Sequence, residues 1–332
     1  MKHRITTLIA ALLLAATAAC GGAGEADDAV HADGSADLSQ VTLHVGDQKG
    51  TGLQALLTAA GQLDGLPYKV SWAQFTSGPP ILEAINAGSV DFGAVGNAPP
   101  VFAAAAGSKI SIVGVAEKGI GGQAVLVPPD SPIKIPADLR GKRVAVAKGS
   151  SANFHLLAVL RKAGLSFADI QPQYLQPPDA LAAFSEGKID AWAIWDPYTA
   201  QAEAQTKARI LVDGDGYVNG FEFQIAGKDA LADTARSAAL GDWVARIRRA
   251  HSWANDHSDE WAKVYSRLTG LDPAVVGVSV KRSSYKDLKL AGDVVTREQL
   301  VADAFNEAKL VPVPVTIADI IDTRFDATVE NT

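Results

Sequence analysis

The sequence predicts an α/β fold of two lobes joined by two chain crossovers. Three observations point to it. Short apolar strands alternate with helices through the first two thirds of the chain, a pattern that builds a parallel or mostly parallel sheet covered on both faces. Loops rich in glycine, proline and serine follow several of these strands and open the next helix. Beyond residue 229 the chain turns almost wholly helical, and strand-to-strand passages near 124–127 and 219–226 read as two crossings between lobes. With 332 residues, 48% of them hydrophobic, the chain can bury two real cores.

In chain order, residues 1–19 read as a secretion leader. Lys2, His3 and Arg4 are basic, and residues 5–16 are apolar but too short for a membrane span. Thr17-Ala18-Ala19-Cys20 then ends a run of small residues on the single cysteine of the chain. That ending resembles the lipobox of bacterial lipoproteins, which implies acylation of Cys20 and a lipid anchor on the extracytoplasmic face of the cell membrane. One cysteine excludes an intrachain disulfide and a cysteine-based zinc cluster. Residues 20–40 are small, polar and acidic, and read as a flexible tether.

The folded body starts with an alternating strand at 41–45, a glycine-rich loop at 46–52 and a helix at 53–60. A strand at 68–75 turns through 76–80 into a helix over 81–87, because proline is tolerated in a first helical turn. The same device recurs with a strand at 90–95, a loop at 96–100 and a helix at 101–106. Strands follow at 111–115, 124–127 and 144–147. The 144–147 strand leads through Lys148-Gly149-Ser150-Ser151 into a helix at 154–163 that stops at Gly164. A short strand at 174–175, a helix at 178–186 and a strand at 189–194 complete the middle unit. Trp195-Asp196-Pro197 opens a helix at 198–206. A strand at 221–226 and helices at 229–254, 259–268, 272–278 and 296–307 finish the body. Lobe one is therefore expected to comprise 41–126 and 219–332, and lobe two 127–218.

The charge balance narrows the partners. Thirty lysines and arginines against 37 acidic residues give a net charge of −7, which argues against nucleic acid. It leaves room for a small anion, whose pocket is set by local groups. The six histidines are scattered and none has metal-ligand spacing. The 46–52 loop lacks the phosphate-loop pattern, and the glycines at 119–122 lie between strands. No metal and no cofactor are expected.

Several of these loops carry a family resemblance. Gln48-Lys49-Gly50, Ser77-Gly78-Pro79, the run from Leu82 through Asn86-Ala87-Gly88-Ser89-Val90-Asp91-Phe92-Gly93, Lys148-Gly149-Ser150-Ser151 and Asp190-Ala191-Trp192-Ala193-Ile194-Trp195-Asp196-Pro197-Tyr198 resemble the aliphatic-sulfonate-binding proteins of bacterial ABC importers. Ser131-Pro132-Ile133-Lys134 and Asp138-Leu139-Arg140-Gly141 fit as well. The resemblance runs from about residue 41 to 314 and is weaker in the C-terminal helices. It implies a two-lobed periplasmic-binding-protein fold of type II. It also implies capture of a sulfonate between the lobes and delivery to a membrane permease and its ATPase. The body is expected to be a monomer. One departure is Gly96-Asn97, where the family often has an acidic residue after the glycine. Taurine, sulfate esters, nitrate and a pyrimidine precursor are the sister ligands. Similar desulfinases attack with a cysteine, and here the only cysteine lies in the leader.

A sulfonate is a permanent monoanion with three acceptor oxygens and no proton to donate. Its site should offer donors, each charge-assisted hydrogen bond contributing about 1.5–3 kcal/mol. Helix starts supply free backbone N–H groups and the positive dipole end. The candidate ligand contacts are Gln48, Ser77, Gly78, Asn97, Ala98, Gly149, Ser150, Ser151, Trp195 and Asp196. Ser150 and Ser151 can equally cap the following helix, and Asp196 can cap the helix after Pro197. Trp192 and Trp195, three apart at a strand end, point to different sides. Trp195 is assigned to the pocket. Glu222 offers a partner for the cationic end of a zwitterion such as taurine, and Arg282 a long-range contact to an anion; the commoner readings are a surface carboxylate and a surface ion pair.

Overall fold

The computed structural model describes residues 36–48 and 52–331. The leader, Cys20, most of the tether and Lys49-Gly50 lie outside the described residues.

Eleven strands are described, in two mixed sheets. The larger holds β1 (Thr42–Gln48), β2 (Lys69–Phe75), β3 (Phe92–Gly96), β4 (Ile110–Lys118), β10 (Phe221–Gly227) and β11 (Tyr285–Leu288) in the order β11-β4-β10-β3-β1-β2. The smaller holds β5 (Ala124–Val127), β6 (Arg143–Val146), β7 (Gln171–Tyr174), β8 (Ala191–Ile194) and β9 (Arg209–Asp213) in the order β7-β6-β8-β5-β9. Each sheet is the floor of one lobe. The chain leaves the larger sheet after Lys118, crosses through 119–123, and returns from the smaller one through 214–220.

The sheets are less parallel than the alternating pattern predicts. β1 pairs parallel with β2 and β3, and β6 with β7 and β8. β10 runs antiparallel between β3 and β4, β11 runs antiparallel to β4, and β5 runs antiparallel to β8 and β9. The reason is the crossings. β5 and β10 enter their sheets directly from the other lobe, at the edge where the parallel strands end, and so must run the opposite way. All four residues of β5 belong to the smaller sheet, so a division at 126/127 falls inside a strand. The passage itself lies in the preceding 119–123 segment.

Helices cover both sheets. α1 (Leu53–Ala59), α2 (Gly78–Asn86), α3 (Ala98–Ala105), α7 (Lys228–Ala232), α8 (Thr234–Asp256), α9 (Ser258–Thr269), α10 (Pro273–Lys281) and α11 (Asp293–Glu307) belong with the larger sheet. α4 (Ser151–Lys162), α5 (Pro177–Ser185) and α6 (Tyr198–Thr206) belong with the smaller one. Strand alternation sends side chains to opposite faces. Leu43, Val45 and Phe92 pack under Trp243 and Ile247 of α8, while Val95, Ile112 and Phe223 pack with Ile81 of α2 and Phe305 of α11. In the second lobe Val144 and Val146 face Leu156 and Leu160 of α4, and Ala145 faces Phe184 and Trp192.

Local signals explain most boundaries. The continuous helix expected over 229–254 divides at Asp233, whose carboxylate accepts from the Arg236 N–H and starts α8 afresh. β9 and β11 are absent from the sequence reading because both are short edge strands. Their charged and half-buried residues give no clean alternation.

Candidate functional site

The carboxyl ends of β1, β3, β4, β6 and β8 meet at one edge of each sheet, with both crossings beside them. Ligands of open α/β sheets bind outside such ends. A cleft opens there.

Its wall brings together Gln48, Gly78, Asn97, Ser150, Ser151, Trp195 and Asp196 from the sequence-based set. Gln48 ends β1, and its Nε2 donates to the Ala94 carbonyl at 3.1 Å. Ser150 caps α4, accepting from the Asn153 N–H and donating its hydroxyl to the Ala147 carbonyl at 2.7 Å. The two readings of this serine are therefore compatible: it caps the helix and lines the cleft. Asp196 does the same, its Oδ1 accepting from the Ala200 N–H at 3.0 Å in the first turn of α6. Trp195 lines the cleft, while Trp192 is fully buried against Phe184 and Tyr198.

Ser77, Ala98 and Gly149 are not on that wall. The Ser77 hydroxyl is buried and donates at 2.8 Å to Gln176 Oε1, on the residue that precedes α5 of the other lobe. The Ala98 methyl belongs to the apolar core beneath α3. The Gly149 N–H donates to Asn153 Oδ1 at 2.9 Å, and Phe102 lies over its Cα.

The three helix starts are unequal as donor sets. Pro79 and Pro80 in α2, and Pro99 and Pro100 in α3, remove N–H groups from the first turn. The first turn of α4 is Ser151-Ala152-Asn153, with no proline. It keeps its N–H groups and is the donor-rich end. The lobes approach closely here. A Cβ on Gly96 would lie 2.8 Å from the Ser151 Cβ, so only glycine lets β3 reach α4 at this separation.

The rest of the wall was not legible as a site. Lys118 and Glu222 pair at 3.3 Å across β4 and β10. Burial works against the Lys118 ammonium, yet Glu222 and Tyr285 together hold its pKa above the ordinary value. Glu222 is thus a cleft residue and not a surface carboxylate. Arg282, just past α10, bonds Glu203 at 2.8 Å and approaches Asp196 at 3.5 Å, joining the first lobe to the second. Burial pushes the Asp196 carboxyl up to about 6, against the pull of Arg282 and the Ala200 N–H. Trp261 and Tyr265 of α9 add an aromatic wall, with the Trp261 indole N–H buried and unpartnered. Their spacing of four, one helical turn, was the one available signal. Among the described residues no group of three His, Cys, Asp or Glu could hold a metal ion.

Paired charges leave this cleft close to neutral. What it offers an anion is hydroxyl, amide and backbone donors, beside the apolar faces of Trp195, Phe221 and Trp261.

The family described as NMT1/THI5 like matches residues 73–260. An Escherichia coli protein named as an aliphatic sulfonates-binding protein is 38% identical over 287 residues, covering 85% of this chain and 89% of the relative. The alkanesulfonate-binding protein of Xanthomonas axonopodis pv. citri, solved bound to MOPS, superposes with a TM-score of 0.80 at 34% identity, covering 87% of this chain and 99% of that one. A desulfurization enzyme superposes at 0.63 with 18% identity, covering 87% of this chain and 99% of its own; that likeness shows the fold alone.

Proposed function

The chain belongs to the aliphatic-sulfonate-binding family of bacterial ABC importers, and on that premise we propose that it captures an alkanesulfonate in the interlobe cleft and hands it to a membrane permease with its ATPase. The observation that carries the reading is the cleft wall. Ser151, Asn97 and Gln123 surround the donor-rich start of α4, which Ser150 caps, with aromatic cover opposite. A sulfonate has acceptors only and fits such a set.

The lobes move about the paired segments 119–123 and 214–220 and close on the ligand. The body works as a monomer, held outside the membrane by lipid on Cys20. It binds without turnover: no cysteine lines the cleft, and the one cysteine in the chain lies at the anchor. An aminosulfonate is the second reading, favoured by the Asp196 and Glu222 carboxylates on the wall.

A thermal-shift screen of the purified protein tests this, with methanesulfonate, longer alkanesulfonates, taurine, sulfate and nitrate. A ligand at a hundredfold excess over its dissociation constant adds about 2.7 kcal/mol of stability. Alkanesulfonates are expected to raise the midpoint. A rise with nitrate alone would move the ligand class, and release of sulfite from a sulfinate would overturn the non-enzymatic reading. Labelled palmitate is expected in the wild-type chain and not in Cys20→Ala.

A further inference from the structure

Glu298 is fully buried in the middle of α11, and nothing in the binding reading above uses it. Its Oε2 accepts from Asn219 Nδ2 at 2.9 Å. Asn219 lies in the second crossing, next to the glycine that precedes β10. Asn219 Oδ1 in turn accepts from Asn97 Nδ2 at 2.8 Å, and Asn97 is on the cleft wall. We propose that Asn219 and Glu298 are positioning residues, a buried chain that sets the orientation of the Asn97 side-chain amide for the ligand.

The direction of the chain follows from one group that can only donate. The Phe221 backbone N–H donates to Asn219 Oδ1 at 3.1 Å. That oxygen must therefore face Phe221, which turns Asn219 Nδ2 toward Glu298. Asn97 then meets an acceptor and must present its own Nδ2, which gives one hydrogen to Asn219 and keeps the second for an acceptor-only ligand. Its Oδ1 is buried without a protein partner. A carboxyl suits the inner end because it accepts through either oxygen. Burial pushes the Glu298 carboxyl well above the usual range, so it sits there without a counterion and still accepts from Asn219. Arg297, the preceding residue of α11, clamps the same asparagine by donating to the Asn219 carbonyl at 2.8 Å and to Glu117 at 2.9 Å. Two successive residues of one helix thus hold one residue of the crossing, and that residue holds the site amide.

The inference rests on the sulfonate-binding reading for its affinity arm only. That arm is a double-mutant cycle by isothermal titration with butane-1-sulfonate. Glu298→Leu removes the acceptor and is expected to weaken binding about fivefold, while adding it to Asn97→Ala changes affinity less than twofold, because its effect passes through Asn97. Glu298→Gln keeps an acceptor and is expected to recover most of the loss. Equal weakening in both backgrounds, or Gln as damaging as Leu, overturns the proposal. Should Glu298→Leu not fold, Asn219→Ala takes its place in the cycle.

The second arm needs no ligand. The Asn97 side-chain amide resonances of the free protein are expected to shift and exchange faster in Glu298→Leu and to hold in Glu298→Gln. If the wild type binds no sulfonate but these resonances respond, the functional reading fails and the positioning chain stands. If sulfonate binds and the Asn97 amide is indifferent to Glu298, the positioning chain fails and the function stands.

Discussion

Replacing Arg282 with alanine removes a side chain that reaches from the first lobe to two carboxylates of the second. Its Nη2 bonds Glu203 Oε2 at 2.8 Å, and its Nη1 lies 3.5 Å from Asp196 Oδ1. The three side chains are 24%, 30% and 10% exposed, so solvent screens them only in part. A hydrogen bond to a charged group contributes about 1.5–3 kcal/mol, and the longer Asp196 contact adds little. About 2 kcal/mol thus holds the two lobes in this arrangement. At 1.4 kcal/mol per tenfold, losing it raises the sulfonate dissociation constant roughly 30-fold. The loss also leaves Asp196 without the cation that opposes its burial. Isothermal titration of Arg282→Ala against wild type reads the effect, with Arg282→Lys expected between them because lysine cannot reach both carboxylates in one plane. An Arg282→Ala protein that binds within twofold of wild type would refute the reasoning.

Three further outcomes are expected. In Gly122→Ala the new methyl would sit 2.1 Å from Asp196 Oδ2 and 2.9 Å from its Cβ, and displacing that held carboxylate should cost about 1–3 kcal/mol in urea unfolding and weaken binding. Trp192→Ala empties a fully buried site and should cost about 3–5 kcal/mol of stability, whereas Trp195→Ala should lower affinity and leave the unfolding midpoint nearly unchanged. His155 is buried and its imidazole is pushed down to about 4, so the unfolded chain takes up its proton first as pH falls. That pair of states costs about 3 kcal/mol of stability between pH ~6.5 and ~4. His155→Gln should show less acid destabilisation than wild type in urea midpoints at pH 7 and 4.5, and an equal loss would count against it. The comparison must be variant against wild type, because Asp196, raised to about 6 by burial, gains stability over much of the same range.

The alternation of strand, loop and helix in the sequence reached the right class of fold because each of its signals is local. Apolar periodicity, Ser150 before a helix, paired prolines after a strand and glycine at a helix end all act within a few residues. The same locality separated Trp192 from Trp195, since neighbours three apart at a strand end cannot share a face. Other features were out of reach for the opposite reason. The antiparallel entry of β5 and β10 depends on where the chain crosses between lobes, which no window of residues records. Glu222 reads as a surface carboxylate in its own stretch of chain, and only Lys118, 104 residues away, makes it a paired cleft residue. Arg282 meets Asp196 across 86 residues, and Asn219 meets Asn97 across 122. Ser77, a good donor by type, is taken by Gln176, 99 residues on. The sequence determined most of the strands and helices and which loops could offer donors. Only the tertiary structure decided which donors remain for a ligand, because a polar group buried in a fold is bound by whatever partner the packing brings to it.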